Sequence, residues 1–275
     1  MKEDRYTRLK AIKEFGYDVN WDDLKRIHIG IVGIGGLGCV SAEMAVRCGV
    51  GKLSIFDFDT VEYVNLNRHM FKEEHIGQLK VKIASKILKE INPDVEIYSF
   101  NQDIMNPNFE ASFEKELSNF DIVLNGLDNI PAREYLNAKC VRLRVPYIDA
   151  GASRSGLSGY VHPVIPYKTA CAKCMSIIAI DTPDERGDPC VASLPSTMAI
   201  LASIQIQEML KYLLKFGVMV DYVMYHMVTG KFLSYKTKQD ENCPICGTKS
   251  QNFKNSVKSR ISKGEIDHLI EKLKE

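Results

Sequence analysis

Glycine spacing in the 275-residue chain predicts a phosphate-binding loop. In the segment "GIGGLG", Gly33, Gly35 and Gly38 fit the Gly-x-Gly-x-x-Gly pattern, and Gly36 lies between them. Glycines at this spacing let the backbone approach a phosphate, and a helix that begins there offers free N–H groups and the positive end of its dipole. The segment therefore predicts nucleotide binding, with a tight turn that has no ligand as the alternative.

A polar segment that follows the next apolar run narrows the class of nucleotide. Asp57 comes about 20 residues after the glycines, where a carboxylate can bind ribose hydroxyls. It opens "DFDTVEYVNLNRHMF", a segment with Asn65 and Arg68 that a nicotinamide dehydrogenase does not need. A triphosphate site does need cations such as Arg68 and Lys80, and an acid such as Asp128 to hold Mg²⁺. Asp128 taken alone fits a helix N-cap equally well.

Two Cys-x-x-Cys pairs predict a metal site. Cys171 and Cys174 form one pair, Cys243 and Cys246 the other, and together they can close a tetrahedral zinc site. The 68 residues between the pairs far exceed the roughly 15–20 of a zinc ribbon. We therefore expect a structural Zn²⁺ that joins distant segments, with redox-active pairs or unrelated thiols as alternatives.

Cys190 differs from the remaining cysteines in its setting. Cys39, Cys48 and Cys140 fall in predicted helices, where free cysteine usually behaves as a small apolar residue. Cys190 lies in the polar stretch "GDPCVASLPSTMAI", just before a predicted helix. The helix N-terminus, aided by Arg186, would lower the thiol pKa and favour a nucleophilic thiolate. No histidine stands nearby in sequence as a general base, which fits an electrophile that is already activated.

Apolar runs predict the elements that position these residues. Strands are predicted at 27–33, 52–58, 122–125 and 146–151, and they alternate with amphipathic helices such as "KVKIASKILKEINPD". This alternation predicts an α/β fold, a doubly wound Rossmann-like and mostly parallel sheet, over about the first 150 residues.

The second half of the chain, about residues 151–246, has a different pattern. The segments "LSGYVHPVIPY", "YVMYHM" and "KFLSYK" predict antiparallel strands that extend the sheet, and residues 195–215 predict a long apolar helix. Residues 247–263 are polar and predict a linker, and residues 264–275 predict a short amphipathic helix. Residues 4–15 also have a helical pattern.

Composition limits the class of partner and the compartment. A net charge of +1 gives no sign of nucleic-acid binding. We find no apolar run near the ~18 residues needed to span a bilayer, and the first residues are too charged for a signal peptide. We therefore expect a cytoplasmic protein in which the eight cysteines are thiols or metal ligands.

The motifs together resemble the ThiF-type superfamily, which includes ubiquitin-like-modifier-activating enzymes and bacterial adenylyltransferases of thiamine and molybdopterin biosynthesis. The resemblance rests on "GIGGLG", "DFDTVEYVNLNR", "GQLK", "INPDV", "LDNIPAR" and the "CAKC"/"CPIC" pair, and it covers about residues 4–246. It is strongest to the ubiquitin-fold-modifier (ufmylation) type, through "RCGVGKLSIFDFDTVEYVNLNR" and "CVASLPSTM". One departure is His69, which stands where the bacterial relatives usually have glutamine.

The resemblance implies an activity and a role for individual residues. A homodimer would use ATP and Mg²⁺ to adenylate the C-terminal glycine of a ubiquitin-like modifier, form a thioester on a cysteine, and pass the modifier to a conjugating enzyme. The implied roles are Cys190 for the thioester, Gly36 for phosphate, Asp57 for ribose, Arg68 and Lys80 for phosphates, Asp128 for Mg²⁺, Asn129 for the nucleotide, Asp103 beside adenine, and Arg8 (Arg5 as the lesser candidate) reaching the other protomer's ATP.

Other readings of the sequence remain open. A sulfur-carrier adenylyltransferase would stop at the acyl-adenylate and need no thioester. A nicotinamide dehydrogenase and a non-catalytic scaffold subunit are further alternatives. The resemblance implies that residues 264–275 engage a conjugating enzyme, but this segment could instead dock on its own domain or on the dimer partner.

Overall fold

A single eight-stranded mixed sheet organises the protein in a computed structural model that describes residues 4–175 and 193–250. The strands are β1 (His28–Val32), β2 (Lys52–Phe56), β3 (Glu96–Phe100), β4 (Ile122–Asn125), β5 (Tyr147–Ala152), β6 (Ser158–Val164), β7 (Tyr222–His226) and β8 (Lys231–Tyr235). They lie in the order β3-β2-β1-β4-β5-β6-β7-β8. Strands β1 to β5 pair in parallel, and β6, β7 and β8 continue the sheet in antiparallel pairing. The predicted fold class is confirmed.

Helices cover both faces of this sheet. They are α1 (Thr7–Lys10), α2 (Gly36–Cys48), α3 (Lys80–Ile91), α4 (Glu110–Leu117), α5 (Ile130–Leu143) and α6 (Pro195–Leu214). Helices α2, α3 and α6 share one apolar core with the sheet, whereas α4 and α5 share a second core on the other face. Helix α6 begins with Pro195 in its first turn, where the missing N–H has no helical partner to lose.

Most predicted elements are present, and three features differ from the sequence pattern. The helical pattern of residues 4–15 forms only the short α1, followed by a 3₁₀ helix over Ala11–Phe15. Strand β3 has no apolar run because it lies at the sheet edge, where most of its side chains are exposed or half-buried. Cys39 and Cys140 are buried as expected, but Cys48 at the end of α2 is only half-buried.

The parallel half of the sheet creates the place for a ligand. Strands β1 and β4 are neighbours, but the chain leaves β1 toward β2 on one side and returns to β4 on the other. In such sheets ligands bind outside the carboxyl ends of the strands, where the order reverses. Among residues 4–175 and 193–250 no helix is long and apolar enough to cross a membrane.

Candidate active site and metal centre

A cleft of about 780 Å³ opens at the carboxyl ends of the parallel strands. It is lined by ten of the residues predicted for nucleotide binding: Gly33, Gly35, Gly36, Asp57, Asn65, Arg68, Lys80, Asp103, Asp128 and Asn129. These residues come from five separate stretches of the chain, so their meeting at one site depends on the fold. The predicted residues Gly38 and Arg8 do not line the cleft.

Close packing explains the glycine loop. Gly33 has a φ of +90°, and a Cβ atom there would lie 2.7 Å from the Gly126 carbonyl oxygen. A Cβ at Gly38 would lie 1.9 Å from the Gly33 carbonyl oxygen, so Gly38 lets helix α2 start directly against the loop. Gly35 is the N-cap of α2. The first N–H groups of this helix therefore face the cleft, as an anion site requires.

Asp57 supports the glycine loop from the end of β2. Its Oδ2 atom accepts a hydrogen bond from the Ile34 N–H at 2.7 Å, and its Oδ1 atom accepts one from the Asp59 N–H at 2.9 Å. Burial raises the pKa of this carboxyl group, and the nearby Lys80 ammonium opposes that rise. A carboxylate has about four lone-pair sites, so these two bonds leave capacity for ribose hydroxyls.

Two cations, Arg68 and Lys80, also line the cleft. Lys80, the first residue of α3, is 8% exposed, and its Nζ atom lies 2.7 Å from Asp59 Oδ2. The Arg68 guanidinium donates to the Val64 carbonyl at 2.8 Å and to Asn67 Oδ1 at 2.9 Å. Asp59 is therefore a part of the cleft that sequence reasoning missed, although it lies two residues after Asp57.

Asn65 and His69 also line the cleft. Asn65 is buried and its Oδ1 atom accepts from the Glu62 N–H at 2.9 Å, so it shapes the turn that carries Arg68. Burial, helped by the charges of Lys80 and Arg68, lowers the pKa of His69 to about 3. Its imidazole is therefore uncharged near neutral pH. Its Nδ1 atom is buried and has no hydrogen-bond partner among the residues that the structure describes.

Further polar groups of the cleft follow β4 and β3. The N-cap of α5 is Asn129, whose Oδ1 atom accepts from the Ala132 N–H at 2.9 Å. The capping role left open for Asp128 thus belongs to its neighbour, and the exposed Asp128 carboxylate forms no ion pair with any residue that the structure describes. Asp103 is also exposed, and its Oδ1 atom accepts from the Met105 N–H at 2.8 Å.

Arg133 also lines the cleft, and sequence reasoning missed it. Its Nε atom donates to the Leu127 carbonyl at 2.9 Å, and its Nη2 atom donates to the Ala150 carbonyl at 2.7 Å. Its Nη1 atom lies 2.9 Å from Asp149 Oδ1 and 2.8 Å from the Tyr160 hydroxyl. The only signal in the sequence is the arginine of "LDNIPAR", four residues after Asn129.

The segment that begins at residue 193 and leads into α6 also lies at this cleft. Ser193 lines it, and the Ser193 carbonyl oxygen lies 3.4 Å from Asn67 Nδ2. Met198, in the first turn of α6, lies 3.2 Å from the place where a Cβ atom of Gly36 would stand. Cys190 and Arg186 lie outside the described residues, as do residues 264–275 and most of the predicted linker at 247–263.

The arginines near the N-terminus have different surroundings. The Arg5 guanidinium donates to the Ile91 carbonyl at 3.1 Å and to Asn92 Oδ1 at 2.7 Å, so it caps the end of α3. Arg8 lies exposed on α1, away from the cleft of its own chain. A role for Arg8 at a nucleotide therefore requires a second protomer and stays a prediction.

Four sulfur atoms come together on the face of the sheet that α4 and α5 cover. The Sγ atoms of Cys171, Cys174, Cys243 and Cys246 all lie within 4.8 Å of one another. The Cys171–Cys243 and Cys174–Cys246 pairs are 3.7 and 3.4 Å apart, well beyond a disulfide's ~2.05 Å. A tetrahedral Zn²⁺ with Zn–S bonds of about 2.3 Å would hold its sulfurs about 3.8 Å apart. The donor set and spacing fit such an ion.

Asn137 of α5 supports the first cysteine pair. Its Oδ1 atom accepts from the Tyr147 hydroxyl at 2.6 Å and from the Ala172 N–H at 3.2 Å, and its Nδ2 atom lies 3.8 Å from Cys171 Sγ. A hydrogen bond from Cys246 is the largest influence that lowers the pKa of Cys171. The cluster packs in the α4/α5 core and does not line the cleft.

Comparison with characterised sequences identifies relatives along most of the chain. "Ubiquitin-like modifier-activating enzyme 5" of Dictyostelium discoideum is 37% identical over 278 residues, which cover 96% of this chain and 73% of the relative. The enzyme of the same name from Arabidopsis thaliana is 35% identical over 255 residues, covering 86% of this chain and 59% of the relative. The chain thus spans roughly two thirds of the length of the curated relatives that it matches.

Comparison with solved structures identifies the same fold. The E. coli enzyme MccB, solved with ATP, superposes with a TM-score of 0.74 at 22% identity, covering 90% of this chain and 75% of that one. MccB in complex with N-formylated MccA superposes with a TM-score of 0.76 at 21% identity. The ThiF family model matches residues 6–245, which include the residues that line the cleft and three of the four cysteines of the cluster. The chain belongs to the ThiF family.

Proposed function

We propose that the chain is an ATP-dependent activating enzyme for a ubiquitin-like modifier of the ubiquitin-fold-modifier type. It adenylates the C-terminal glycine of the modifier, forms a thioester on Cys190, and passes the modifier to a conjugating enzyme. Relatives named as ubiquitin-like modifier-activating enzymes match the chain at 35–37% identity. The observation that carries the proposal is a single cleft that combines a phosphate-type glycine loop, two cations, an acid with no ion-pair partner among the described residues, and the chain segment that follows Cys190.

The first step is adenylyl transfer. The modifier's terminal carboxylate attacks the α-phosphorus of ATP, a carboxylate–phosphorus bond forms, and the bond to pyrophosphate breaks. The α2 N-terminus and the loop glycines bind phosphate oxygens, while Arg68 and Lys80 neutralise the charge that builds on the leaving pyrophosphate. Asp57 binds the ribose. Because the attacking carboxylate carries no proton, positioning and charge neutralisation suffice and no general base is required.

Two metal ions belong to this proposal in different ways. Asp128 would hold Mg²⁺, which takes one or two carboxylates together with phosphate oxygens and supplies charge neutralisation. Its carboxylate is exposed and without an ion-pair partner among the described residues, so it fits that task. The four cysteines would hold Zn²⁺ as a closed structural site with no part in the reaction.

The second step is thioester formation on Cys190. The thiolate attacks the acyl carbon of the adenylate, a carbon–sulfur bond forms, and AMP leaves with the electron pair. Cys190 stands three residues before Ser193, which lines the cleft, and three residues span at most about 11 Å. An acyl-adenylate is activated enough that a thiolate needs no further general base.

Partners follow from the same proposal. Arg8, exposed on α1, would reach the nucleotide of a second protomer, which requires a homodimer. Asn129 and Asp103 would contact the nucleotide, and residues 264–275 would bind the conjugating enzyme. A thiol nucleophile at Cys190 and four cysteine ligands to Zn²⁺ would need a reducing compartment, so the proposal places the protein in the cytoplasm.

The test mixes the protein with ATP, Mg²⁺ and a candidate ubiquitin-like modifier and separates the products on a non-reducing gel. We expect a covalent adduct that thiol reductant removes and that Cys190→Ala abolishes. Cys48→Ala, which changes a half-buried cysteine elsewhere, should leave the adduct intact.

A sulfur-carrier adenylyltransferase is the main competing function. It predicts modifier-dependent ATP–pyrophosphate exchange without an adduct, and exchange that Cys190→Ala does not change. Absence of both exchange and adduct with every glycine-terminated candidate would contradict either activating function and favour a scaffold subunit.

A further inference from the structure

Arg133 joins the loop that follows β4 to strand β5 beside the cleft. Its Nε–H holds the Leu127 carbonyl, one residue before Asp128, at 2.9 Å. The Nη2 atom of the same guanidinium holds the Ala150 carbonyl of β5 at 2.7 Å. A guanidinium is planar and presents its donors in a fixed fork, so these two carbonyls cannot shift independently while it is in place.

The guanidinium is itself fixed by a buried carboxylate. Asp149 is 3% exposed, and its Oδ1 atom lies 2.9 Å from Arg133 Nη1. Asp149 also accepts hydrogen bonds from Asn125 Nδ2 at 2.6 Å and from the Tyr160 hydroxyl at 2.8 Å. A buried charge pair with additional hydrogen bonds on both members has little freedom to rearrange.

Space for the guanidinium is built into the strand beside it. A Cβ atom at Gly151 would lie only 2.6 Å from Arg133 Nη2, so any larger residue would displace the arginine. Asp128 itself has no salt bridge that could fix its position, and its one polar contact in the described residues is Asn129 Nδ2 at 3.5 Å. The position of the Asp128 loop therefore depends on its backbone, and Arg133 holds that backbone.

We propose that Arg133 is a positioning residue that fixes the Asp128 carboxylate for Mg²⁺–nucleotide binding by clamping the Leu127 carbonyl to β5. This inference rests on the proposed function, because it assigns the metal to Asp128. It differs from a general structural role in that removal of the clamp should change the dependence on Mg²⁺ more than it changes the stability of the fold.

Arg133→Lys is the informative variant. Lysine keeps a positive charge for Asp149 but lacks the fork that reaches both carbonyls. Binding of a fluorescent ATP analogue is measured as a function of Mg²⁺ concentration, alongside thermal unfolding. Outer-shell residues of metal sites typically change metal affinity by about 10–100-fold. We expect the half-saturating Mg²⁺ concentration to rise about tenfold, while the unfolding temperature falls only a few degrees.

A double-mutant cycle separates positioning from a second, independent effect. If Arg133 acts through Asp128, then Asp128→Asn with Arg133→Lys binds the analogue no more weakly than Asp128→Asn alone, within about twofold. The double variant Arg133→Gln, Asp149→Asn removes both buried charges and leaves no unpaired carboxylate. It should raise the half-saturating Mg²⁺ concentration by the same factor as Arg133→Lys. Arg142→Lys is the matched control, because Arg142 lies on the same helix as Arg133 but is half-exposed and pairs with Glu114 of α4.

The outcomes are distinct. The positioning role is overturned if Arg133→Lys binds the analogue with an unchanged Mg²⁺ dependence. It is also overturned if Asp128→Asn and Arg133→Lys weaken binding by factors that multiply in the double variant. Either result leaves the proposed function intact. The proposed function is overturned instead if the unaltered protein binds nucleotide without Mg²⁺ and shows no pyrophosphate exchange.

Discussion

The cysteine cluster and the nucleotide cleft use their polar groups in opposite ways. In the cluster, four sulfur atoms lie within 4.8 Å of one another, three of the four cysteines are buried, and they can fill every position of a tetrahedral ion. In the cleft, the charged groups are spread along several strand ends and keep hydrogen-bonding capacity unused. Asp128 has no ion-pair partner among the described residues, and the cleft is open to a ligand.

This difference separates stability from activity. A closed ligand set contributes its binding free energy to folding, because the unfolded chain has no preformed site. An open cleft holds groups in position for a substrate that arrives later, and part of the binding capacity is necessarily unsatisfied in the free protein. Mutations in the two regions should therefore affect different measurements.

Loss of the cysteine cluster should have the largest effect on stability. Structural zinc sites in isolated fingers contribute roughly 10–16 kcal/mol, so Cys243→Ser or a strong chelator should lower the free energy of unfolding by several kcal/mol or prevent folding. The measurement is thermal unfolding with metal content determined in parallel. Cys48→Ser is the control, because Cys48 lies outside the cluster. If the chelator leaves the unfolding temperature unchanged, the cluster does not hold a structural ion.

Loss of Lys80 should have the next largest effect, on activity alone. Removing one preorganised charge-stabilising group typically costs about 10²–10³ in rate, so Lys80→Met should slow modifier-dependent ATP–pyrophosphate exchange by that factor. Stability should change little, because Asp59, the partner of Lys80, is half-exposed. Lys82→Met, an exposed position on the same helix, should retain full exchange. A large drop in unfolding temperature for Lys80→Met would show that the two regions are not separable in this way.

Titration of the His69 ring should have the smallest effect, which appears only in the pH dependence of the free energy of unfolding. Burial foremost, then Lys80 and Arg68, lower its pKa from 6.5 to about 3. As the pH falls, the unfolded chain therefore takes up the proton first, and stability is lost below about pH 6.5. The loss between pH 7 and pH 5 should be about 2 kcal/mol.

Denaturant unfolding across this pH range tests the prediction. His69→Leu and His69→Gln both lack the titrating ring, so both should show a flatter pH dependence than the unaltered protein. Equal pH dependence in all three proteins would mean that His69 is not held uncharged in the folded state.

Some features of this protein follow from local sequence. The glycine loop requires a φ of +90° at Gly33 and a missing side chain at Gly38, and both are properties of single residues. The Cys-x-x-Cys turns are also local, since the Cys174 N–H donates to the Cys171 carbonyl three residues earlier. Buried parallel strands are recognisable because both of their faces are apolar. These signals sufficed to predict the fold class, and all but one of the residues predicted for nucleotide binding line the cleft.

Other features depend on contacts that no local pattern contains. Arg133 and Asp149 are 16 residues apart, and Lys80 and Asp59 are 21 residues apart. Edge strand β3 has no apolar run because only one of its sides has a neighbouring strand. The choice of Asn129 rather than Asp128 as the N-cap depends on where α5 begins. Sequence alone determined which residue types this protein can use for phosphate and metal, because backbone freedom and ligand chemistry belong to single residues. Only the tertiary structure decided which charges are paired and which stay available, because pairing depends on distances across the sheet.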